Sequence, residues 1–256
     1  MSLRAAIKRS LNTMLPRPAY TALNARVAAK DIVTGRRWDP ELKLIGKLVK
    51  PGDTVVDAGA NHGLYSYHFS KMVGPQGRVH AFEPIPSNIY IFQKTMAKAS
   101  IQNVTLHREG LSDTNGTVDF VVPIRNGVPE TGCSFRKVGD EQGLIYTCPI
   151  RRLDDALPSV QVAFIKCDVE GSELAVFRGA ERILTQSHPT VFCELISENQ
   201  THFGLTREDV ISFFRSIGYR GWRFGGPEGT DLLPPTEDAN YLFVHPSRAV
   251  PGITSS

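Results

Sequence analysis

The sequence predicts one open α/β domain: a mostly parallel sheet of seven strands, helices on both faces, and one antiparallel strand late in the chain. Three observations carry this. Short β-branched or apolar runs (54–57, 78–82, 104–108, 162–167 and 190–193) alternate with stretches whose apolar residues recur at helical spacing. The first run passes through a glycine-bearing turn directly into a helical pattern, T-V-V-D-A-G-A-N-H-G-L-Y-S over 54–66. The last two runs, 219–224 and 241–245, are joined by a turn-rich loop rather than a helix, as an antiparallel pair requires.

In chain order, Leu3, Ile7, Leu11 and Met14 have near-helical spacing with Arg4, Lys8 and Arg9 opposite them. They predict a short basic amphipathic helix over 3–15, suited either to packing on the domain or a partner subunit or to lying on an anionic membrane. Pro16 and Pro18 end it, and a weaker helix covers 20–30. Residues 41–49 form another, and Pro51-Gly52-Asp53 turns into the first strand. After the 54–66 unit, Tyr65, Phe69, Met72 and Val73 mark the inner face of a helix. The 78–82 strand ends at Glu83-Pro84, and Ser87 is placed to cap a helix with Ile89, Phe92 and Met96 inside. Strand 117–122 is expected to pair near 144–150. The Gly/Pro/charge-rich stretch 123–143 between them, with Arg125, Asn126, Cys133 and Ser134, reads as a structureless loop serving as a lid. Asp154-Asp155 suits a cap on a short helical turn, Thr206 caps 207–216, and Glu173 suits the start of the helix after 172.

Residues 1–37 carry eight Lys/Arg against Asp31, a net +7, which leaves −4 for the rest of a chain whose total is +3. That argues against a nucleic-acid footprint across the fold. Cys133, Cys148, Cys167 and Cys193 form no C-x-x-C and no zinc spacing, which fits a reduced, cytoplasmic protein. The expected division is a basic helical extension over 1–37, one domain over 38–246 and a tail over 247–256.

The turn does not follow G-x-G-x-x-G; it reads D-x-G-x-x-x-G, Asp57 to Gly63. Twenty residues after Gly63, Glu83 is placed to hold two ribose hydroxyls. A glycine turn and a ribose acid without a pyrophosphate signature point to S-adenosylmethionine. Gly59 would admit the ligand to the backbone, and Gly63 would let helix and strand pack closely. Asp57, Gly59, Ala60, Asn61, Gly63, Ser66, Glu83, Pro84, Leu111 and Asp168 are the expected cofactor contacts.

In such a sheet the ligand lies over the carboxyl ends of the strands, so Asp57, Glu83, Asp168 and Glu194 should converge. Clustered carboxylates raise one another's pKa, which makes Asp168, Glu170 or Glu194 the expected base for a hydroxyl. Glu170 and Glu173 equally suit a helix N-terminus. His62 and His202 are other base candidates. Asp168 and Glu194 also resemble a metal-binding carboxylate pair, but Leu195 stands where the third ligand would be, so no metal is expected. The amine-methylating N-P-P-Y motif is absent.

The stretches V-V-D-A-G-A-N-H-G-L-Y-S (55–66), F-E-P-I-P-S-N (82–88), G-L-S-D (110–113), R-L-D-D-A-L (152–157), F-I-K-C-D-V-E-G-S-E-L-A-V-F-R-G-A (164–180) and C-E-L (193–195) resemble the FkbM family of methyltransferases, with Gly110 where an alanine is usual. The resemblance implies a Rossmann-like class I methyltransferase that uses S-adenosylmethionine to O-methylate a sugar, polyketide or similar metabolite. The competing readings are a catechol-type metal-assisted O-methyltransferase, a nicotinamide oxidoreductase and a non-catalytic scaffold. The expected partners are a small-molecule or glycan hydroxyl acceptor and no nucleic acid, with a second copy of the chain and a membrane surface as further candidates.

Overall fold

Val55, Val56 and Ala58 are all fully buried, because strand β1 (Thr54–Ala58) is covered on both faces. The computed structural model describes Met14 and residues 16–125, 127–225, 231–233 and 237–248. Before β1 come helices α1 (Arg17–Val33) and α2 (Leu42–Leu48); after it come α3 (Leu64–Val73), β2 (Arg78–Phe82), α4 (Pro86–Lys98) and β3 (Val104–His107). Short strands β4 (Gly110–Leu111), β5 (Gly116–Val122), β6 (Ile124–Arg125), β7 (Val128–Pro129) and β8 (Phe135–Arg136) lead to β9 (Leu144–Arg151). Helix α5 (Leu153–Ala156), β10 (Phe164–Cys167), α6 (Glu173–Arg178), α7 (Glu181–Ser187) and β11 (Thr190–Leu195) follow. The remainder is α8 (Ser197–His202), α9 (Arg207–Ser216), β12 (Arg220–Gly225), β13 (Asp231–Leu233) and β14 (Ala239–Val244).

The main sheet runs β13-β12-β14-β11-β10-β1-β2-β3. From β11 to β3 all pairs are parallel, and β14 enters antiparallel between β11 and β12. These are the seven expected strands in the expected sense. The eighth, β13, is a three-residue edge inside the turn-rich loop, too short to show a period. Alternate residues supply two cores. Val56, Ala58, Ile165, Cys167 and Phe243 face one layer with Phe177 and Phe214. Val55, Val79, Phe164, Phe192 and Leu242 face the other with Phe69.

A second sheet, β4-β9-β5-β8, is built on the antiparallel pairing of β5 with β9 that the sequence indicated. The stretch 123–143 is not structureless. It holds the β6–β7 hairpin, a 3-10 turn at Thr131–Cys133 and β8 on the edge of β5. Two-residue strands leave no alternation to read, hence the miss.

Helix boundaries differ in instructive ways. α4 begins at Pro86, with Ile85 as its N-cap and Ser87 inside the helix, because proline's fixed φ suits the first helical position. Asp154 sits within α5 and caps α7 instead, accepting from the backbone N–H of Arg182 (2.9 Å) and Ile183 (3.0 Å). Thr206 forms a full capping box with Asp209. The helix predicted over 20–30 is α1; it buries Ala25, Ala29 and Ile32 and packs on α4. The helix expected over 3–15 lies outside the described residues apart from Met14. Among the described residues, no helix is long and apolar enough to cross a membrane.

Phe214 is fully buried and stacks on Phe243 at 4.0 Å, with Phe177 edge-on at 4.7 Å. Phe214→Ala is expected to cost about 3–5 kcal/mol, read as a lower urea midpoint with an unchanged slope.

Candidate active site

Parallel strands β2, β1, β10 and β11 lie side by side, so the residues ending them meet at one edge of the sheet. A buried lysine organises that edge. Lys166 on β10 is in register with Asp57 on β1. Its Nζ lies 3.7 Å from Asp57 Oδ1 and 3.2 Å from Asp168 Oδ2, and it donates to the Gly59 carbonyl at 3.1 Å. The ring of Tyr65 is 5.0 Å below it. Burial works against the lysine's charge, but Asp168 and Asp57 outweigh it and raise its pKa. Burial raises the pKa of Asp57, opposed by Lys166 and by the hydroxyl of Ser66, which donates to Oδ2 at 2.6 Å. Reading the residues by type passed over Lys166. Its signal is a lysine inside the apolar run F-I-K-C, where a charge needs a carboxylate nearby.

Gly59 has φ +74°, and a Cβ there would lie 1.9 Å from the Asp168 carbonyl oxygen. Its bareness therefore serves the approach of two loops as well as that of a ligand. Gly63, at φ +87°, packs against Phe92 and Met96 of α4, so the closeness it permits is between helices and not between helix and strand. The turn between them leads into α3.

The cleft above these loops encloses about 680 Å³, its solvent-open mouth included, within the range of small-ligand sites. Of the expected cofactor contacts, Gly59, Asn61, Glu83, Pro84, Leu111 and Asp168 line it. Asp57, Ala60, Gly63 and Ser66 do not; they stand behind the wall and shape it. Ala60 packs its methyl with Ala81, Phe92 and Met96, and Ser66 is buried against Asp57.

Glu83 is buried. Its carboxylate accepts from the backbone N–H of Asn61 (2.8 Å) and Ile85 (2.9 Å) and from the Asn88 side chain (3.2 Å). Burial pushes its pKa up to about 7 against these bonds. Oε1 takes the bonds from Ile85 and Asn88, and Oε2, with the Asn61 bond alone, keeps a lone pair for a ligand hydroxyl. Asn61 Oδ1 and Asn88 Oδ1 are buried without a hydrogen-bond partner in the same wall. Acceptors left open beside a carboxylate fit a nucleoside rich in hydroxyl and amine donors.

The 3-10 turn at 131–133 closes over this wall. The Thr131 carbonyl accepts from Asn88 (3.0 Å), Gly132 lies against Asn61, and Thr131 Oγ1 is 3.3 Å from His62 Nε2. His62 also contacts Arg37 at 3.3 Å. His202 lies 2.9 Å from Glu141 and edge-on to Phe135. Neither histidine lines the cleft, which removes both from the place a base would occupy.

On the opposite wall stand Asp168, Val169, Glu170 and Ser172. Glu170 has a left-handed backbone, φ +56°, and its Oε2 accepts from Asn199 at 2.8 Å. Burial, then Asp168 and Glu194, push its pKa up to about 7. Burial, then Asp168, push Glu194 to about 7 as well, but Glu194 sits one strand further along β11, off the cleft wall. Glu173 is buried and holds the turn: it accepts from the N–H of Val169 (3.2 Å) and Gly171 (3.1 Å) and from Gln200. Among the described residues, no three His, Cys, Asp or Glu side chains are grouped for a metal ion.

A parallel sheet with one late antiparallel strand, a glycine turn, and acids at successive strand ends defines a class I methyltransferase fold. The profile of the Methyltransferase FkbM domain matches residues 57–220, and the chain belongs to that family. Its cofactor is S-adenosylmethionine. The chain is 27% identical over 150 residues to Methyltransferase 1 of Beauveria bassiana, covering 51% of this chain and 60% of that one. It is 29% identical over 231 residues to Methyltransferase sdnD of Sordaria araneosa, covering 79% and 80%. The crystal structure of methyltransferase FkbM from Methylobacillus flagellatus KT superposes with a TM-score of 0.55 at 20% identity, covering 92% of this chain and 57% of that one. The chain thus spans less than two thirds of the length of the Beauveria and Methylobacillus proteins.

Two outcomes are expected. Lys166→Met strands two carboxylates and should cost about 3–5 kcal/mol in urea unfolding; the double variant with Asp57→Asn should recover part of that loss. Glu83→Ala should weaken S-adenosylhomocysteine by about 30–150-fold in calorimetry, the loss of charge-assisted bonds worth roughly 2–3 kcal/mol.

Proposed function

We propose that the protein transfers a methyl group to a hydroxyl of a small molecule or glycan, with the Asp168–Glu170 edge taking the hydroxyl proton. The observation that carries this is Glu170: a carboxyl on the cleft wall, fixed by Asn199 and by the turn that Glu173 pins, with a pKa of about 7. A group of that pKa accepts a proton in neutral solution and releases it again after turnover. When bound, S-adenosylmethionine supplies the electrophilic methyl carbon. Glu83, Asn61 and Asn88 hold the nucleoside end. The Gly59–Gly63 turn, backed by the Asp57–Lys166 pair, positions the charged tail, and the turn at 131–133 excludes water. Glu194, behind Asp168, adds to the negative field that raises Glu170. The net −4 outside 1–37 supports a small acceptor over a phosphate backbone.

The test is a methyl-transfer assay over hydroxylated acceptors. Glu170→Gln should bind S-adenosylhomocysteine normally and lose about 10²–10⁴-fold in rate. Wild-type rate should climb as pH rises through about 7 and then level, because the deprotonated form is the base. A pH-independent rate, or a Glu170→Gln variant with full activity, sinks the assignment. EDTA should leave the rate unchanged; magnesium-reversible inhibition would make Asp168 and Glu194 metal ligands.

Folding linkage gives a second reading of Glu170. Its pKa lies at about 7 in the fold and near the ordinary 4.5 when unfolded. The folded state therefore holds its proton more tightly, and this group's contribution to stability falls as pH rises from about 4.5 to 7. Glu170→Gln should flatten that part of the urea stability profile.

A further inference from the structure

The stretch 123–143 contains three cations. Arg125 pairs with Glu130 at 3.4 Å and Lys137 with Glu141 at 3.9 Å. The guanidinium of Arg136 makes no ion pair or hydrogen bond with any described residue. It is half-buried and lines the cleft. Its orientation follows from register: β8 pairs antiparallel with β5, Arg136 stands opposite Phe120, and directly opposed side chains leave the same face of a sheet. Phe120 lines the cleft too, whereas the neighbouring Phe135 is edge-on to His202. The other charged residues lining the cleft, among those described, are the acids Glu83, Asp168 and Glu170, and none comes within 4.0 Å of the guanidinium. A half-buried guanidinium on a wall shared with acids, but out of their reach, leaves room for an anion beside it.

We propose that Arg136 binds an anionic group, a carboxylate or a phosphate, carried by the methyl acceptor. The proposal rests on the methyltransferase reading and narrows the acceptor to an acidic hydroxylated compound. It places the acceptor's hydroxyl toward Glu170 and its charge toward the second sheet. The carboxylate of the cofactor is the other source of such a group, and the affinity of the variants for S-adenosylhomocysteine separates the two.

The test uses the full chain saturated with S-adenosylhomocysteine and three probes: D-glucose, D-glucuronate and D-glucose 6-phosphate. Ligand-observed NMR titrations give their affinities for wild type, Arg136→Gln and Arg136→Lys. Wild type should bind at least one anionic sugar about tenfold or more tighter than glucose. Arg136→Gln should erase that preference, and Arg136→Lys should keep part of it. Affinity for S-adenosylhomocysteine should be unchanged in both variants. Equal affinity for all three probes, including no measurable binding of any, overturns the proposal, as does a preference that survives both substitutions. Loss of S-adenosylhomocysteine affinity in the variants assigns Arg136 to the cofactor's carboxylate instead. Failure of wild type to bind S-adenosylhomocysteine would overturn the methyltransferase reading itself, a separate result from failure of the sugar arm.

Discussion

The ammonium of Lys166 holds together parts of the chain that are more than a hundred residues apart. It touches the carboxylate that ends β1, the one that follows β10, and the carbonyl of Gly59 in the turn above them. A charge buried this far is tolerable only with all its partners in place, so none of the three can move alone. Gly59 adds a steric lock, since its missing side chain is what lets the Asp168 carbonyl approach. The floor of the cleft is therefore a single polar unit with two apolar layers beneath it.

The same edge divides work between neighbouring acids. Glu173 and Glu170 are three residues apart on one turn, yet Glu173 is consumed by backbone N–H groups and Gln200, while Glu170 is turned by a left-handed backbone to the cleft wall. Pinning by the first makes the unfavourable conformation of the second sustainable. Across the cleft, Glu83 is likewise bonded to the chain, which leaves two asparagine carbonyls beside it with unused acceptor capacity. The second sheet brings the 3-10 turn at 131–133 down onto Asn88 and His62, which joins the roof of the site to its cofactor wall.

Much of this was legible in the residues. Apolar runs flanked by helical periods yielded the strands, and acids directly after those runs yielded the convergence of Asp57, Glu83, Asp168 and Glu194, because parallel strands bring their carboxyl ends to one edge. The turn, its glycines and the family resemblance pointed to the cofactor. Local pattern decides these features, and local pattern is what a sequence carries openly. Partners across space decided the rest. Lys166 gains its meaning only from the register of β10 with β1, Gly63 from helix α4, Asp154 from helix α7, and Ser66 from Asp57 one helical turn behind the wall. The two-residue strands of 123–143 exist only as additions to β5 or to each other. The sequence by itself determined the fold and the edge where chemistry collects, since period and burial are properties of each segment. Tertiary structure alone decided which acids face the cleft and which hold it up, since that depends on which buried donors each carboxylate meets.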